Sequence, residues 1–272
     1  MGVASISGFR STARIHLRIT TANLNGIRSA AAKGFFDWLD QTAPDVLCAQ
    51  ETRAPVELIK AAEALNPSGW HGFHRAAASK GYSGVSIYTR RKPDAVLDEI
   101  GWAPFDNEGR YLELRFGDLS IVSLYLPSGS SGEARQVFKY ETMARLAPIL
   151  ARWQRSRRRY VLCGDFNIVR SELDIRNWKS NQKNSGCLPA ERAWLNARIG
   201  DDGWIDGFRA LKPEAVEYTW WSNRGNARAS DVGWRIDYQL LSRKLQGAAR
   251  KVEIYRAQRF SDHAPQTLEI DA

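Results

Sequence analysis

The stretch "YVLCGDFNI", residues 160–168, combines the two features that decide the fold of this chain. It begins as a short apolar run and ends on a glycine, a carboxylate and an amide. A short apolar run bounded by turn-forming residues is typical of a buried strand. Asp165 and Asn167 follow that run, and a carboxylate in an apolar setting costs free energy unless a cation or hydrogen-bond donors compensate for it. The stretch therefore predicts a buried strand that ends at a polar site.

Polar residues recur at the ends of other apolar strands. They are Asn23, Asn25, Gln50, Glu51, Tyr125, Asp262 and His263, with Asp237 inside the strand "WRIDYQLL". One such ending would be an edge effect, whereas several indicate that the strands end at one shared pocket. Oxygen ligands from Asn, Glu and Asp are those of a hard cation, Mg²⁺ or Mn²⁺, rather than zinc. The pattern predicts metal-assisted phosphate chemistry and leaves the substrate open.

The rest of the chain is predicted to contain many strands with helices between them. Strands are predicted at residues 15–26, 45–51, 83–90, 111–116, 119–127, 160–168, 218–222, 234–242 and 265–270. Helices are predicted at residues 30–41, 56–65 and 133–153, and Pro148 predicts a kink or a break in the last of these. Because strands and helices do not alternate strictly, the pattern favours two packed sheets with helices outside over one doubly wound sheet.

Composition and charge limit the class of protein. Hydrophobic residues at 43% and charged residues at 25% are ordinary for a globular protein, and 272 residues suffice to bury a full core. Nothing approaches the roughly 18 consecutive apolar residues that a membrane span requires. The net charge of +9 favours partners that carry phosphates, nucleic acid first and an anionic membrane surface second. The three cysteines lack paired spacing, which argues against disulfides or a zinc cluster and favours a reducing compartment.

Eight short blocks, taken in order, resemble those of a known family. They are "TANLNGIRS", "LCAQET", "KGYSGVSIY", "EGRYLEL", "SLYLPSG", "CGDFNI", "VGWRIDY" and "SDHAP". In this order they resemble the exonuclease III family of apurinic/apyrimidinic endonucleases, within the DNase I-like endonuclease/exonuclease/phosphatase superfamily. The stretch "LDIRNWKSNQKNSGCLPAERAWL" also resembles the bacterial branch of that family. The resemblance implies a single domain over residues 14–272, preceded by a flexible tail at residues 1–13. It also implies a four-layered α/β sandwich of two packed mixed β-sheets flanked by helices.

The resemblance implies a metal site. It places a divalent cation, Mg²⁺ with Mn²⁺ as the alternative, at Glu51, with Asn23 or its neighbour Asn25 and with Asp262 nearby. Mg²⁺ keeps several waters and needs few carboxylates, so one firm protein ligand is chemically reasonable. The cation would polarise a phosphoryl oxygen and offset charge on the leaving 3′-oxygen.

The resemblance also implies catalytic roles. Asp165 is expected to act as the base for the attacking water, which Asn167 orients, and Tyr125 to contact the phosphate and protonate the leaving group. Asp237 and His263 resemble the family's carboxylate–histidine pair. Which of Asp165 and His263 takes the proton stays open. We favour Asp165, because an imidazolium held charged by Asp237 better stabilises the transition state.

DNA-binding residues are implied in the same way. Trp220, Trp234 and Ile236 match positions that line the family's pocket for a flipped-out, base-less sugar. Candidates for backbone phosphate contacts are Arg224, Arg228, Lys179 and Lys183. For the run "RSRRR" a solvated surface is the stronger interpretation.

Two segments depart from the family pattern. Val169 and Arg170 follow "CGDFNI", where the family usually has a small residue and then His. Asp231 stands where an Asn commonly contacts a phosphate. A bulkier residue 169 or 170 would narrow the sugar pocket, and a negative charge at 231 would weaken the phosphate contact. Both departures put abasic-site cleavage in question and leave the metal centre intact.

The predicted function is a metal-dependent DNA-repair phosphodiesterase that cleaves 5′ to abasic sites and removes blocking groups from 3′ ends. We expect a cytoplasmic monomer that acts on double-stranded DNA and not at membranes. The alternative within the family is a 3′-phosphatase or 3′→5′ exonuclease with little abasic-site activity. Two other classes are a relative that acts on lipids or inositol phosphates and a non-catalytic DNA-binding module.

Overall fold

The computed structural model describes residues 15–272, so the predicted tail at residues 1–13 lies outside the described residues. The strands are β1 His16–Asn23, β2 Val46–Gln50, β3 His71–Arg75, β4 Val85–Thr89, β5 Ala95–Leu97, β6 Tyr111–Phe116, β7 Leu119–Tyr125, β8 Arg159–Asp165, β9 Ile205–Asp206, β10 Trp220–Trp221, β11 Gly233–Trp234, β12 Asp237–Leu241, β13 Ala249–Ile254 and β14 Gln266–Asp271. The α-helices are α1 Ile27–Ala32, α2 Phe35–Thr42, α3 Val56–Ala61, α4 Ala103–Asp106, α5 Glu133–Arg155, α6 Trp178–Asn181, α7 Pro189–Ile199 and α8 Gly207–Leu211.

The strands form two six-stranded mixed sheets and one short ribbon. One sheet has the order β13-β14-β1-β2-β4-β3, the other has the order β5-β6-β7-β8-β12-β9, and β10 pairs with β11. The pairs β1–β2 and β7–β8 are parallel, and the other neighbours in both sheets are antiparallel. The two sheets are therefore similar halves, each with one parallel pair at its centre.

Strand β8 shows how the layers pack. Along β8, Val161 and Cys163 belong to the apolar core between the two sheets, while Tyr160 and Leu162 pack under helices α5 and α7. This alternation follows from the two-residue period of a strand. A third apolar cluster packs α1, α2 and α3 on the outer face of the first sheet. The four-layered α/β sandwich with two mixed sheets, predicted from the sequence, is confirmed.

Several elements differ from the sequence predictions. The helix predicted at residues 30–41 is two helices, because Gly34 adopts a left-handed backbone (φ 82°) between α1 and α2. Helix α5 continues past Pro148 without a break. The stretch 234–242 is divided between β11 and β12, and strands β3, β5, β9 and β13 were not predicted.

Sheet register brings the polar strand ends together. Tyr125 on β7 is paired with Asp165 on β8, and Asp165 is paired with Asp237 on β12. In the other sheet Asn23 is paired with Gln50, which directly precedes Glu51. Because both sheets end at the same side of the sandwich, these side chains lie around one cleft. Among residues 15–272, no helix has both the length and the apolar composition needed to cross a membrane.

Candidate active site

Asp165 lies at the centre of the site, fully buried at the end of β8. Asn23 donates from its Nδ2 atom to Asp165 Oδ2 at 2.9 Å and to Glu51 Oε1 at 2.8 Å. Asn167 donates from its backbone N–H to Asp165 Oδ1 at 2.8 Å and from Nδ2 to Asp165 Oδ2 at 3.2 Å. Burial, followed by the nearby charges of Asp237 and Glu51, raises the pKa of Asp165 to about 7, although His263 opposes the shift. A carboxylate with a pKa near neutrality suits proton transfer.

Asp237 and His263 form the second part of the site. His263 Nδ1 lies 2.9 Å from Asp237 Oδ2, and its Nε2 atom lies 3.8 Å from Asp165 Oδ2. Burial alone would lower the pKa of His263, but Asp237 raises it to about 10, with Asp165 and Asp262 acting in the same direction. The imidazole is therefore a cation at neutral pH and presents its second nitrogen to the cleft.

Glu51 and Tyr125 complete the floor of the cleft. Glu51 has a left-handed backbone (φ 50°), and its Oε2 atom accepts a hydrogen bond from Arg53 Nε at 2.8 Å. Arg110 stacks over the Tyr125 ring at 4.4 Å. Burial, and next the charge of Glu51, raise the pKa of Tyr125 well above its ordinary value, while Arg110 opposes the shift. Tyr125 is therefore a neutral hydrogen-bond donor at neutral pH.

Asp262 faces a different set of partners from the predicted ones. Its carboxylate accepts hydrogen bonds from Asn25 Nδ2 at 2.7 Å and from Trp220 Nε1 at 3.1 Å. Burial would raise the pKa of Asp262, but His263 and these two donors lower it below the ordinary value. Asp262 therefore lies at the cleft as a carboxylate hydrogen-bonded to Asn25 and Trp220, next to His263.

The cleft above these residues has a volume of about 900 Å³. Trp220, Trp234 and Ile236 line it, as the resemblance implied, and the two indole rings meet edge to face with centroids 5.8 Å apart. Ser185 and Gly186 lie on the same wall. A Cβ atom at Gly186 would lie 3.0 Å from Trp234 Cζ3, so only glycine leaves this ring in place.

The predicted phosphate-binding residues fall into two groups. Arg224 and Lys183 line the cleft. Lys179, on α6, is outside the cleft lining, and Arg228 stacks over the Trp221 ring at 4.8 Å. In "RSRRR", Arg158 donates to the carbonyls of Gly117 and Leu119 and to Ser120 Oγ, and Arg159 pairs with Asp118. That part of the run therefore anchors the β6–β7 turn.

The residues that depart from the family pattern leave the pocket open. Val169 is fully buried beneath it, in a cluster with Ile175, Cys187 and Ile236. Arg170 Nε donates to Asn196 Oδ1 at 2.8 Å and is outside the cleft lining. Asp231 accepts a hydrogen bond from Trp221 Nε1 at 3.0 Å and pairs with Arg256 at 2.5 Å. Its negative charge is thus balanced within the protein.

Several cleft residues were missed by the sequence analysis. They are Arg53, Tyr82, Ser83, Arg110, Arg135 and the loop at residues 128–132. Tyr82, Arg110 and Ser128 lie inside blocks that carried the resemblance, so the signal was present in "KGYSGVSIY", "EGRYLEL" and "SLYLPSG". No role was assigned to them because nothing in the sequence shows which side of a strand end faces a cleft.

The donor set fits a divalent cation. Among the described residues, one group of His, Cys, Asp or Glu side chains could hold a metal: Glu51, Asp165 and His263, whose ligand atoms lie within 4.8 Å of one another. Of the two predicted carboxylate ligands, Glu51 belongs to this group and Asp262 does not, and Asn23 donates to Glu51 Oε1. Asp237 Oδ1 is buried without a hydrogen-bond partner among the described residues. Buried carboxylates that outnumber the adjacent cations are the environment in which a divalent ion is favoured.

A buried carboxylate near neutrality, an imidazolium and a cation site at the end of a two-sheet sandwich define a hydrolase of phosphate esters. The chain belongs to the endonuclease/exonuclease/phosphatase family, whose model matches residues 20–263, and the predicted family is confirmed. It is a hydrolytic nuclease, and its family is divalent-metal-dependent.

Relatives and solved structures span nearly the whole chain. The DNA repair nuclease APEX1 of Danio rerio is 35% identical over 259 residues, covering 93% of this chain and 82% of that protein. The exodeoxyribonuclease of Bacillus subtilis is 32% identical over 258 residues, covering 94% of this chain and 100% of that protein. A 3′ phosphatase, NExo from Neisseria, solved with a product DNA hairpin, matches with a TM-score of 0.86 and 28% identity over 94% of this chain and 100% of its own. An AP endonuclease from Archaeoglobus fulgidus matches with a TM-score of 0.83 and 26% identity over the same shares.

Proposed function

We propose that this protein is a DNA-repair phosphodiesterase that cleaves the backbone 5′ to abasic sites and also removes blocking groups from 3′ ends. The observation that carries the proposal is the position of Asp165 and His263 directly beside the aromatic pocket of Trp220 and Trp234. Proton-transfer groups beside an aromatic pocket suit hydrolysis of the phosphodiester next to a flipped-out, base-less nucleotide. The DNA repair nuclease and the exodeoxyribonuclease among the relatives support the same substrate class.

Asp165 is proposed as the general base. With its pKa near 7 it can accept a proton from a water at neutral pH, and Asn167 fixes its orientation through two hydrogen bonds. His263, held as a cation by Asp237, is proposed to stabilise the negative charge that develops on the phosphoryl oxygens. Tyr125 supplies a neutral hydroxyl at the same floor for the phosphate or the leaving oxygen.

Glu51 is proposed to hold the divalent cation, Mg²⁺ with Mn²⁺ as the alternative. When bound, the cation supplies Lewis-acid polarisation of the phosphate and offsets the charge of the leaving oxygen. Asn23 is proposed as a donor that bridges Glu51 and Asp165 rather than as a ligand, because its Nδ2 atom is the one that lies between the two carboxylates, while its Oδ1 atom accepts from the Asn25 backbone N–H.

Abasic-site cleavage is favoured over activity at 3′ ends alone by the shape of the pocket. Val169 lies beneath the pocket and Arg170 is outside its lining, so neither fills it. Gly186 packs closely against Trp234, so the indole ring keeps its place in the pocket wall without a side chain at residue 186. The 3′-specific alternative keeps its support from the similarity to the 3′ phosphatase NExo.

A duplex carrying one tetrahydrofuran residue tests the proposal. With Mg²⁺ present we expect incision on the 5′ side of the tetrahydrofuran, and none with EDTA or with Asp165→Asn. A matched duplex ending in a 3′-phosphate runs in parallel. Release of that phosphate without incision at enzyme excess would establish the 3′-specific alternative. Hydrolysis of a phosphoinositide with neither DNA activity would overturn both.

A further inference from the structure

We propose that Lys139 is a positioning residue for Asn167, and that its ion pair with Glu191 fixes the pocket segment (residues 185–188) against the same catalytic residue. This inference rests on the proposed function, because it assigns the contacts that hold Asn167, the proposed orienter of the water, in a fixed position relative to the sugar pocket. Neither residue touches the cleft directly, so both act through others.

Lys139 lies on α5, and its side chain is fully buried together with that of Glu191 on α7. Its Nζ atom lies 2.7 Å from Glu191 Oε1 and donates to the backbone carbonyl oxygen of Asn167 at 2.8 Å. Asn167 has a left-handed backbone (φ 51°), a conformation that a non-glycine residue keeps only when its surroundings hold it there. The ammonium group is therefore one of the contacts that hold Asn167 in the conformation in which its amide reaches Asp165.

Glu191 connects the same ion pair to the pocket. Its Oε2 atom accepts hydrogen bonds from the backbone N–H groups of Gly186 at 2.6 Å and Leu188 at 3.1 Å. Its Oε1 atom accepts from Gln136 Nε2 at 3.0 Å and from Ser185 Oγ at 3.3 Å. The carboxylate thus fixes the main chain of the pocket segment that lies against Trp234.

A main-chain hydrogen bond also joins the residues that follow β8 directly to the pocket segment. The backbone N–H of Val169 donates to the carbonyl oxygen of Gly186 at 2.8 Å. The catalytic end of β8 and the pocket segment are therefore joined by this hydrogen bond and, on the other side, by Lys139 and Glu191. A displacement of either segment would move both the orienter of the water and the wall of the sugar pocket.

Stability alone does not explain a buried ion pair at this position. The desolvation of two charges offsets most of their attraction, and apolar residues of similar size give proteins that are as stable. What apolar residues cannot supply is a set of directional donors and acceptors for a backbone carbonyl and two backbone N–H groups. The pair therefore fits a positioning role.

The test uses the full-length protein with the substitutions Lys139→Met and Glu191→Gln combined, so that no buried charge is left unpaired. We expect a folded protein whose kcat on the tetrahydrofuran duplex and on the 3′-phosphate duplex falls by about 10- to 100-fold, with KM within about twofold, as for a small misplacement of a catalytic group. Adding the pair to Asn167→Ala should lower kcat less than about threefold further, because residues that act as a unit are not additive.

Glu113→Gln is the matched control. Glu113 is also buried and accepts from Tyr111, Arg115 and Ser120, but it lies along β6 toward the β6–β7 turn, away from the cleft. We expect this control to keep the wild-type kcat. A folded double variant with wild-type kcat, or a full multiplicative loss in the Asn167→Ala background, would overturn the proposal.

Two further measurements distinguish a failure of this inference from a failure of the double variant to fold and from a failure of the proposed function. If the double variant fails to fold, Lys139→Arg keeps the charge but cannot place a single nitrogen at the same point, and a wild-type kcat in it would count against positioning. If wild-type protein leaves the tetrahydrofuran duplex intact, the proposed function fails while the 3′-phosphate arm still decides this inference. If neither substrate reacts, amide exchange at Val169 decides, with exchange at least about tenfold faster expected in the double variant and not in Glu113→Gln.

Discussion

Asp165 and His263 have their pKa values shifted in a way that assigns opposite charges to them at neutral pH. Burial and the charges of Asp237 and Glu51 raise the pKa of Asp165 to about 7, and Asp237 raises that of His263 to about 10. A base must be ionised, so activity gained through Asp165 rises with pH through its pKa. A cationic stabiliser must be protonated, so the activity that depends on His263 falls as pH rises through the pKa of His263.

We therefore expect a bell-shaped dependence of kcat/KM on pH, with an alkaline limb near pH 10. The acidic limb should lie below pH 7 in the presence of Mg²⁺, because a bound cation favours the ionised form of Asp165. His263→Ala removes the charge that opposes the shift of Asp165, so the acidic limb should move to higher pH. If His263 were the base, removing it would abolish the acidic limb instead.

Asp231 is a residue whose charge can be tested without disturbing its packing. It accepts from Trp221 and pairs with Arg256, which stacks over the same indole ring at 4.9 Å. Asp231→Asn keeps an acceptor for Trp221 and releases Arg256 from its counter-charge. We expect KM for the duplex to fall severalfold at low salt, with kcat unchanged and a steeper dependence of KM on salt.

Asp40→Asn is the matched control for this change. Asp40 accepts from Trp70 Nε1 and pairs with Arg90, which lies over the Trp70 ring, so the three side chains repeat the same arrangement. Asp40 is outside the cleft lining. An equal fall in KM for both variants would show a general charge effect rather than a contact beside the pocket.

At the scale of single elements, β13 is a strand that the sequence missed because it has no continuous apolar run. Strand β13 carries exposed Arg250, Lys251 and Glu253, and only Val252 and Ile254 are buried well. It lies at the edge of its sheet, where one face and one side stay in water, and so it lacks the apolar run of a central strand. Central strands such as β2 are buried at every position and were predicted.

Helix α5 shows why a proline signal can mislead. Pro148 lies on the exposed side of a 23-residue helix, whose buried residues Leu146 and Leu150 continue the apolar face on both sides of it. Packing against the second sheet therefore outweighs one missing backbone hydrogen bond. Replacing Pro148 with Ala restores the N–H donor and should raise the free energy of unfolding by about 1–3 kcal/mol, with activity unchanged.

Urea unfolding measures this free energy. Ala147→Gly, in the same turn, is a control with the opposite sign, and its free energy of unfolding should fall by about 1 kcal/mol. A loss of stability in Pro148→Ala would mean that the proline shapes the helix for the packing of Trp153. In that case the ring stack of Trp153 on Tyr160, at 4.8 Å, would be the contact to examine.

At the scale of the whole molecule, the sequence predicted the layers and most of the strand ends, but not how they pair. Asp165 and Asp237 were recognisable as polar residues in apolar strands, and strand register is what makes them neighbours. Lys139 and Glu191 were given no role from the sequence, because both lie on helices as charged residues and are paired only when α5 and α7 pack together. Residues that act through tertiary contacts of this kind have no local sequence pattern to reveal them.

The charge of the site should make the stability of the whole protein depend on the cation. Glu51, Asp165 and Asp237 are buried close together, and the positive charges that pair directly with them are those of His263 and Arg53. A cation that binds only the folded state stabilises it by about 2.7 kcal/mol at a concentration of 100 times Kd. We therefore expect Tm to rise with Mg²⁺ and to fall back with EDTA.

Glu51→Gln assigns this effect to the site. The amide keeps an oxygen of similar size but removes one negative charge, so the rise in Tm with Mg²⁺ should be lost or shifted to much higher concentrations. Glu113→Gln removes a buried carboxylate whose hydrogen bonds to Tyr111, Arg115 and Ser120 lie away from the cleft, and it should keep the full rise. An undiminished rise in Glu51→Gln would place the stabilising cation elsewhere on the chain.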